Sequence, residues 1–359
     1  MLAGTSLGAS LPPIQTVFLI LMENHDWTDL KDSPDAPYLN NLLLPMAAHC
    51  EQYHNPPGVH PSLPNYLWLE AGTNFGIYDD LPPASNHQPT TDHLATLLDN
   101  ANVPWKAYQE DISGTCVPLS DTNAYAVRHN PFVYFDDVTG TNDPSHPYGI
   151  AHSRPYSEFA ADLTNNTVAR YNFITPNLCN DTHDSCAPLF NPVRQGDNWL
   201  AAEVPKILNS TAYQNSGALF ITWDESTTGD GPIGLIVDSP LARGGGYANS
   251  FYYTHSSTLR TVQEIFGVTP LLGDAANARD LSDFFPIYGF SAAVNVPGVG
   301  IQLTAVSVIP GSTNVIEASF DLTLWTAIST NIVATNTFTF TDTAATNYDA
   351  RFYRLVQSP

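Results

Sequence analysis

The sequence predicts an α/β layered domain built on a mostly parallel central sheet, followed by a small C-terminal β-sandwich module. Residues 17–22, 218–223 and 233–237 are unbroken apolar runs, the pattern of strands covered on both faces. Segments with helical apolar spacing alternate with these runs as far as about residue 285, as in helices layered on a parallel sheet. Beyond Phe285 charge nearly vanishes, Thr, Ser, Val and Asn dominate, and the spacing becomes that of short strands. The domains are therefore drawn at residues 1–288 and 289–359.

Taken in order, the first strand stops at Glu23-Asn24-His25-Asp26, and a helix is expected over 91–100, with Leu94, Leu97 and Leu98 on one face. A further helix over 158–170 leads into a strand at 171–175, and helices over 197–208 and 257–266 follow. In the tail, strands are expected over 301–309, 314–320, 337–341 and 351–356. The 29 prolines fall between the apolar runs, so long ordered loops should join rigid elements. A G-x-S-x-G pattern at 4–8 precedes the first strand, whereas a nucleophile elbow needs a strand before it, so the match is set aside as chance.

Acidic residues number 35 against 12 basic ones, a net charge of −23. That balance argues against nucleic acid as a partner, because Lys and Arg are needed to displace phosphate counterions. It also argues against an anionic membrane surface. No apolar run approaches the ~20 residues of a membrane span, so a soluble protein is expected. The N-terminus lacks a basic and an apolar signal region, and a signal peptide is taken to have been removed. Four cysteines, with Cys179 and Cys186 close enough to close a small loop, suggest two disulfides and a secreted or periplasmic protein. A zinc site on Cys179, His183 and Cys186 lacks both a C-x-x-C pair and a fourth ligand.

In an open parallel sheet, ligands collect beyond the carboxyl ends of the strands. Glu23 and Asn24 end one run, and Asp224 and Glu225 end another. Like charges converging there would repel unless a cation lay between them. Ser62, in His60-Pro-Ser-Leu-Pro-Asn-Tyr66, precedes an apolar small-residue stretch and could present its hydroxyl at a helix start, although serine there also serves as a cap. The 177–184 loop gathers Asn180, His183 and Asp184 behind the 171–175 strand, and His255 stands at a helix start.

Six motifs in fixed order resemble the bacterial and fungal phosphoesterase family, which includes acid phosphatases and phospholipases C within the alkaline-phosphatase-like superfamily. They are Phe18-Leu-Ile-Leu-Met-Glu-Asn-His25, His60-Pro-Ser-Leu-Pro-Asn-Tyr66, His129-Asn-Pro-Phe132, Asn177-Leu-Cys-Asn-Asp-Thr-His-Asp184, Ile221-Thr-Trp-Asp-Glu225 and Thr254-His-Ser-Ser-Thr-Leu-Arg-Thr261. The resemblance spans roughly residues 14–270 and implies an alkaline-phosphatase-like fold. It assigns Glu23, Asn24, Asp224 and Glu225 to metal binding and Ser62 to nucleophilic attack. His183, Asp184 and His255 fall among residues lining the phosphate pocket, and His60, Asn65 and Asn180 of the same motifs are assigned to substrate binding. Where phospholipases C of the family usually read Glu-Asn-Arg-Ser-Phe-Asp, this chain has Glu23-Asn24-His25-Asp26-Trp27, which favours the phosphatase branch. Tyr66 stands where related sulfatases need Arg.

The expected activity is hydrolysis of small phosphate esters through a phosphoserine, with one or more divalent ions (Ca²⁺, Mg²⁺, Mn²⁺ or Zn²⁺) and with His183 or His255 as proton donor. The alternatives are a phosphodiesterase or phospholipase C, and an inactive secreted binding protein. The C-terminal stretch resembles β modules on exported proteins of environmental bacteria, which suggests attachment to a surface or polysaccharide.

Overall fold

The structure, a computed structural model, describes residues 11–122, 124–286, 289–306, 308, 312–335, 337–348 and 350–358. The 4–8 pattern, residues 287–288 at the expected domain boundary and position 309 lie outside them. The chain divides into two compact units, one of them Ile14–Phe284 and the other holding Phe285–Pro359.

In chain order the first unit contains β1 (Thr16–Met22), β2 (Ala48–Cys50), α1 (Ser62–Ala71), α2 (Leu94–Asn100), β3 (Trp105–Gln109), β4 (Ser153–Pro155), α3 (Phe159–Asn165), β5 (Tyr171–Thr175), α4 (Pro192–Leu208), β6 (Gly217–Trp223), β7 (Leu235–Asp238), β8 (Ala248–Asn249) and α5 (His255–Phe266). One eight-stranded sheet has the order β4-β3-β5-β1-β6-β7-β2-β8. The strands from β4 to β6 pair in parallel. Every residue of β1, β5 and β6 is buried, as their unbroken apolar or near-apolar runs require. Each large apolar side chain so buried contributes about 1.5–3 kcal/mol, so the ends of these strands are firmly placed.

β7 is antiparallel to both β6 and β2, which corrects the expectation that the 233–237 run lies parallel to its neighbours. The 224–234 link is too short for a crossover, which takes a dozen or more residues, so the chain turns back beside β6.

The helices form where expected with shifted ends. α2 begins at Leu94 after His93, which is extended. α3 stops at Asn165 because Asn166 adopts the left-handed conformation, and the following residues lead into β5. α4 starts at Pro192, earlier than expected, with the Asn191 side chain accepting from the Arg194 amide. α5 starts at His255 behind a capping box formed by Thr254 and Ser257.

The second unit holds two three-stranded antiparallel sheets. Its strands are β9 (Gly289–Val296), β10 (Gly300–Val306), β11 (Thr313–Ser319), β12 (Thr326–Ile332), β13 (Thr337–Asp342) and β14 (Phe352–Ser358), ordered β9-β10-β13 and β12-β11-β14. The two central strands alternate buried and less buried residues, with Leu303, Ala305, Ile316 and Ala318 inside. β9 and β12 were not expected. Both are edge strands about half exposed, in which Phe290, Ala292, Val294 and Val296 of β9 and Ile328 and Ile332 of β12 are interspersed with other small or polar residues.

Candidate active site

Three adjacent parallel strands, β5, β1 and β6, deliver their following loops to one place. The Glu23 amide donates to the Asp181 carbonyl (2.7 Å) and the Asp224 amide to the Met22 carbonyl (2.9 Å), so the acid-bearing residues extend the ladder. Glu23, Asp181 and Asp224 are buried. Burial pushes each carboxyl up; the charge of Asp224 adds to this for Glu23 and Asp181, and the charge of Glu225 adds to it for Asp224. Backbone conformation is constrained here as well: Asn24 has φ 31° and the β-branched Thr182 has φ 81°, a region costly for such residues. The Thr182 hydroxyl donates to the Glu23 carbonyl. α4 comes close enough to meet this loop because Gly196 has no Cβ, which would lie 2.2 Å from Thr182 Cγ2.

The donor set suits a cation. The end of the Asn24 side-chain amide lies 3.0 Å from both Glu23 Oε2 and Asp224 Oδ1. With its oxygen turned inward, three oxygens converge, an arrangement that a divalent ion stabilises. On the other side of Glu23, His129 Nε2 lies 3.3 Å from Glu23 Oε1, and His129 Nδ1 lies 3.5 Å from Asp181 Oδ2. Glu23, His129 and Asp181 form a buried group able to hold a metal ion. His129 Nε2 and Asp181 Oδ2 are buried without a hydrogen-bond partner. Burial, assisted by the charges of Arg128 and His183, holds His129 well below the usual histidine range, so its ring is neutral and a ring nitrogen can serve as a ligand. The ring stacks on Tyr66 at 5.0 Å between centroids, and the Tyr66 hydroxyl donates to Glu23.

Ser62 opens α1, and its side chain, 3% exposed, donates from Oγ to Glu23 Oε2 at 3.1 Å. The structure therefore brings Ser62, Glu23, Asn24 and Asp224 together. Glu225 faces the next layer: its Oε2 accepts from Asn65 Nδ2 at 3.3 Å and pairs with His60 Nδ1, while His60 Nε2 meets Asp230 Oδ1 at 3.1 Å. Burial and the nearby Asp80 charge push Glu225 up to about 8. His183, half-buried, has Nδ1 2.7 Å from Asp184 Oδ1, and its ring centre is 6.2 Å from that of His129. Two assignments sit differently. His255 is buried with both ring nitrogens engaged, one by the Tyr53 hydroxyl and one by the Asp224 carbonyl, which leaves none for a leaving group. Asn180 gives its amide to Glu110 Oε2 at 2.8 Å, away from the acid cluster.

Sequence reasoning left His129 and Asp181 out of the ligand set, although both stood inside quoted motifs. The signal for Asp181 was its position in the loop after a strand beside β1. His129 lies on a short turn remote in sequence from any strand end, and only the fold brings it in. The expectation of two disulfides is also corrected. Cys179 and Cys186 are bonded, which removes them as zinc ligands. Cys50 and Cys116 are free, because Cys50 lies in β2 while Cys116 follows β3, with four strands between them in the sheet.

The sequence profile of the Phosphoesterase family matches residues 32–269, about two thirds of the chain. A phosphatidylinositol-3-phosphatase of Mycobacterium tuberculosis is 27% identical over 77% of this chain and 85% of its own length. A phosphate-repressible acid phosphatase of Penicillium chrysogenum is 30% identical and an acid phosphatase of Aspergillus niger 31% identical, each over 60% of this chain. The chain spans 51% of either fungal relative. Among solved structures, an alkaline phosphatase superfamily protein from Vibrio parahaemolyticus superposes with a TM-score of 0.50 at 11% identity, over 90% of this chain and 84% of the other. Phosphonate monoester hydrolase of Agrobacterium radiobacter gives 0.50 at 11%, over 76% and 77%. These two likenesses concern the fold alone.

Proposed function

Because this chain belongs to the phosphoesterase family, we propose that it is a metal-dependent, acid-phosphatase-like hydrolase of phosphate monoesters with Ser62 as its nucleophile. The observation that carries the reading is the Ser62 hydroxyl, buried at the start of α1 and 3.1 Å from Glu23 Oε2, amid the acids that end β1 and β6. Glu23, Asn24 and Asp224 would hold a divalent ion beside that hydroxyl, and His129 and Asp181 supply further donors across Glu23. Such an ion lowers the pKa of a serine hydroxyl and neutralises phosphoryl oxygens.

Ser62 Oγ passes its proton to Glu23 Oε2, which already accepts its hydrogen bond, and attacks phosphorus in line, forming an O–P bond as the bond to the leaving oxygen breaks. His183, oriented by Asp184 at Nδ1, gives its proton to that oxygen. The same imidazole then takes a proton from the water that attacks the phosphoserine, while the Ser62 oxygen leaving phosphorus recovers its proton from Glu23, which releases phosphate and restores the hydroxyl. His255 is a positioning residue here, tying the Asp224 carbonyl to α5. The disulfide at Cys179–Cys186 accords with an exported protein, and no helix among the described residues is long and apolar enough to cross a membrane.

The test is a panel of p-nitrophenyl phosphate, bis-p-nitrophenyl phosphate, phosphatidylcholine and phosphatidylinositol 3-phosphate, assayed before and after dialysis against a chelator. Monoesters should turn over fastest, activity should vanish on dialysis, and one of Mg²⁺, Mn²⁺, Ca²⁺ or Zn²⁺ should restore it. Full activity in protein shown by elemental analysis to be metal-free would overturn metal dependence. Preference for the diester or for phosphatidylcholine would move the chain to the phosphodiesterase or phospholipase C reading, and inactivity on the whole panel to that of a binding protein.

A further inference from the structure

Arg128 stands next to His129 on the short 3₁₀ turn Val127–His129. Its charge reaches Glu23, Asp181 and Asp80. The side chain is only 18% exposed, and its ion-pair partner stands off, with Nε 3.8 Å from Asp80 Oδ2. Among the described residues no acceptor takes a hydrogen bond from the guanidinium, which has five N–H groups to give. Asp80 is committed on its other side: Oδ1 accepts from the Leu63 amide at 3.0 Å. That amide belongs to the first turn of α1, directly after Ser62, where helix N–H groups lack intrahelical acceptors. A carboxylate thus sits between a helix-start amide beside the nucleophile and an arginine with uncommitted donors.

We propose that Arg128 binds the phosphoryl group of the substrate, its guanidinium taking the non-bridging oxygens of a dianionic monoester as Ser62 attacks, while Asp80 holds that place between turnovers. The inference rests on the reading of Ser62 as nucleophile. Arginine suits the role because its planar fork meets two oxygens at once, which a lysine cannot do. It also bears on substrate class. A monoester dianion offers more charged oxygens than a diester monoanion, so a guanidinium clamp favours monoesters. Asp80 competes for the same donors, and removing its charge strengthens monoester binding.

The experiment compares the parent with Arg128→Ala, Arg128→Lys and Asp80→Asn on p-nitrophenyl phosphate and bis-p-nitrophenyl phosphate, and measures inorganic phosphate binding by calorimetry. Arg128→Ala should lose about 10²-fold in kcat/KM on the monoester, the scale of removing one preorganised donor, and less than tenfold on the diester. Phosphate binding should weaken at least tenfold, and Asp80→Asn should lower KM for the monoester. Should the alanine variant not fold, Arg128→Lys keeps the charge but not the fork, and should itself fall about tenfold on the monoester. Equal losses on both esters, or phosphate binding unchanged in a folded variant, would overturn the inference in favour of an ion pair that only supports the fold. If the parent itself does not hydrolyse the monoester, the proposed function fails, and phosphate binding then decides on Arg128 alone: dependence on the arginine sustains the clamp, and its absence overturns it.

Discussion

Ser62 is the residue on which the chemistry turns, and its surroundings leave it little other work. It is buried, and it donates to a carboxylate 39 positions away rather than accepting from the amides of its own helix as a cap would. Ser62→Ala should therefore lower kcat by several orders of magnitude, since a nucleophile and the groups around it act as a unit, with little change in thermal unfolding. The check is steady-state kinetics alongside phosphate labelling in acid-quenched reactions. Near-native turnover, or label on another residue, would return Ser62 to a structural role. At this scale the sequence was informative wherever chemistry sat at a strand end: Glu23, Asn24 and Asp224 follow apolar runs, and their convergence could be argued before the fold was known. His129 stood in a motif without a role and Arg128 went unmarked, since their places depend on how the segment before Pro131 packs against Tyr66 and Asp80.

Between elements, the buried pair His93 and Glu70, with the more exposed Asp137, joins the end of α1 to the start of α2. His93 Nδ1 lies 2.9 Å from Glu70 Oε1 and Nε2 lies 3.0 Å from Asp137 Oδ1, with the ring stacked on Phe135 at 3.9 Å. Glu70 also accepts from the Ala95 amide at 2.7 Å. Burial opposes a charge on His93, but the hydrogen bonds to Asp137 and Glu70 outweigh it and move the ring up to about 9. Glu70 is itself raised by burial, and Asp137, held low by His93 despite partial burial, is the anionic partner.

The unfolded histidine titrates near 6.5, so the folded state binds the extra proton between about pH 6.5 and 9. The stabilisation is complete below that window and is lost as pH rises through it, up to about 3 kcal/mol in all. Urea unfolding midpoints should fall between pH 6.5 and 9.5 in the parent and fall less in His93→Gln. Parallel pH dependence in the two proteins would show that His93 carries no such linkage. Elements were legible from sequence where periodicity was strong, as in α2, α4 and α5. α1 was not read as an amphipathic helix because it is buried nearly all round, with Trp68 alone partly exposed.

Across the whole molecule the charge is unevenly spread. Of the 35 acids only Glu317, Asp321, Asp342 and Asp349 fall after residue 288, and no His or Cys lies there. The composition break near 285 was visible without a structure, because a change from long apolar runs to short Thr- and Val-rich strands alters the period of the pattern itself. The two edge strands β9 and β12 were not read, because their apolar residues are few, interspersed with Ser, Thr, Ala and Asn, and partly exposed. Every side chain of the acid cluster, together with Ser62, His183 and Arg128, belongs to the unit Ile14–Phe284, and each unit has its own set of buried apolar residues. We therefore expect the C-terminal unit to be dispensable for chemistry, as separable cores allow. A chain ending at Tyr288 should fold, show the far-ultraviolet circular dichroism of an α/β protein, and keep kcat on p-nitrophenyl phosphate within about twofold of the parent. Surface or polysaccharide attachment, if the tail provides it, should be lost from the shortened chain and retained by residues 289–359 alone. A shortened protein that folds normally yet no longer hydrolyses the small ester would show that the tail completes the active site and would overturn the division of labour argued from the positions of these side chains.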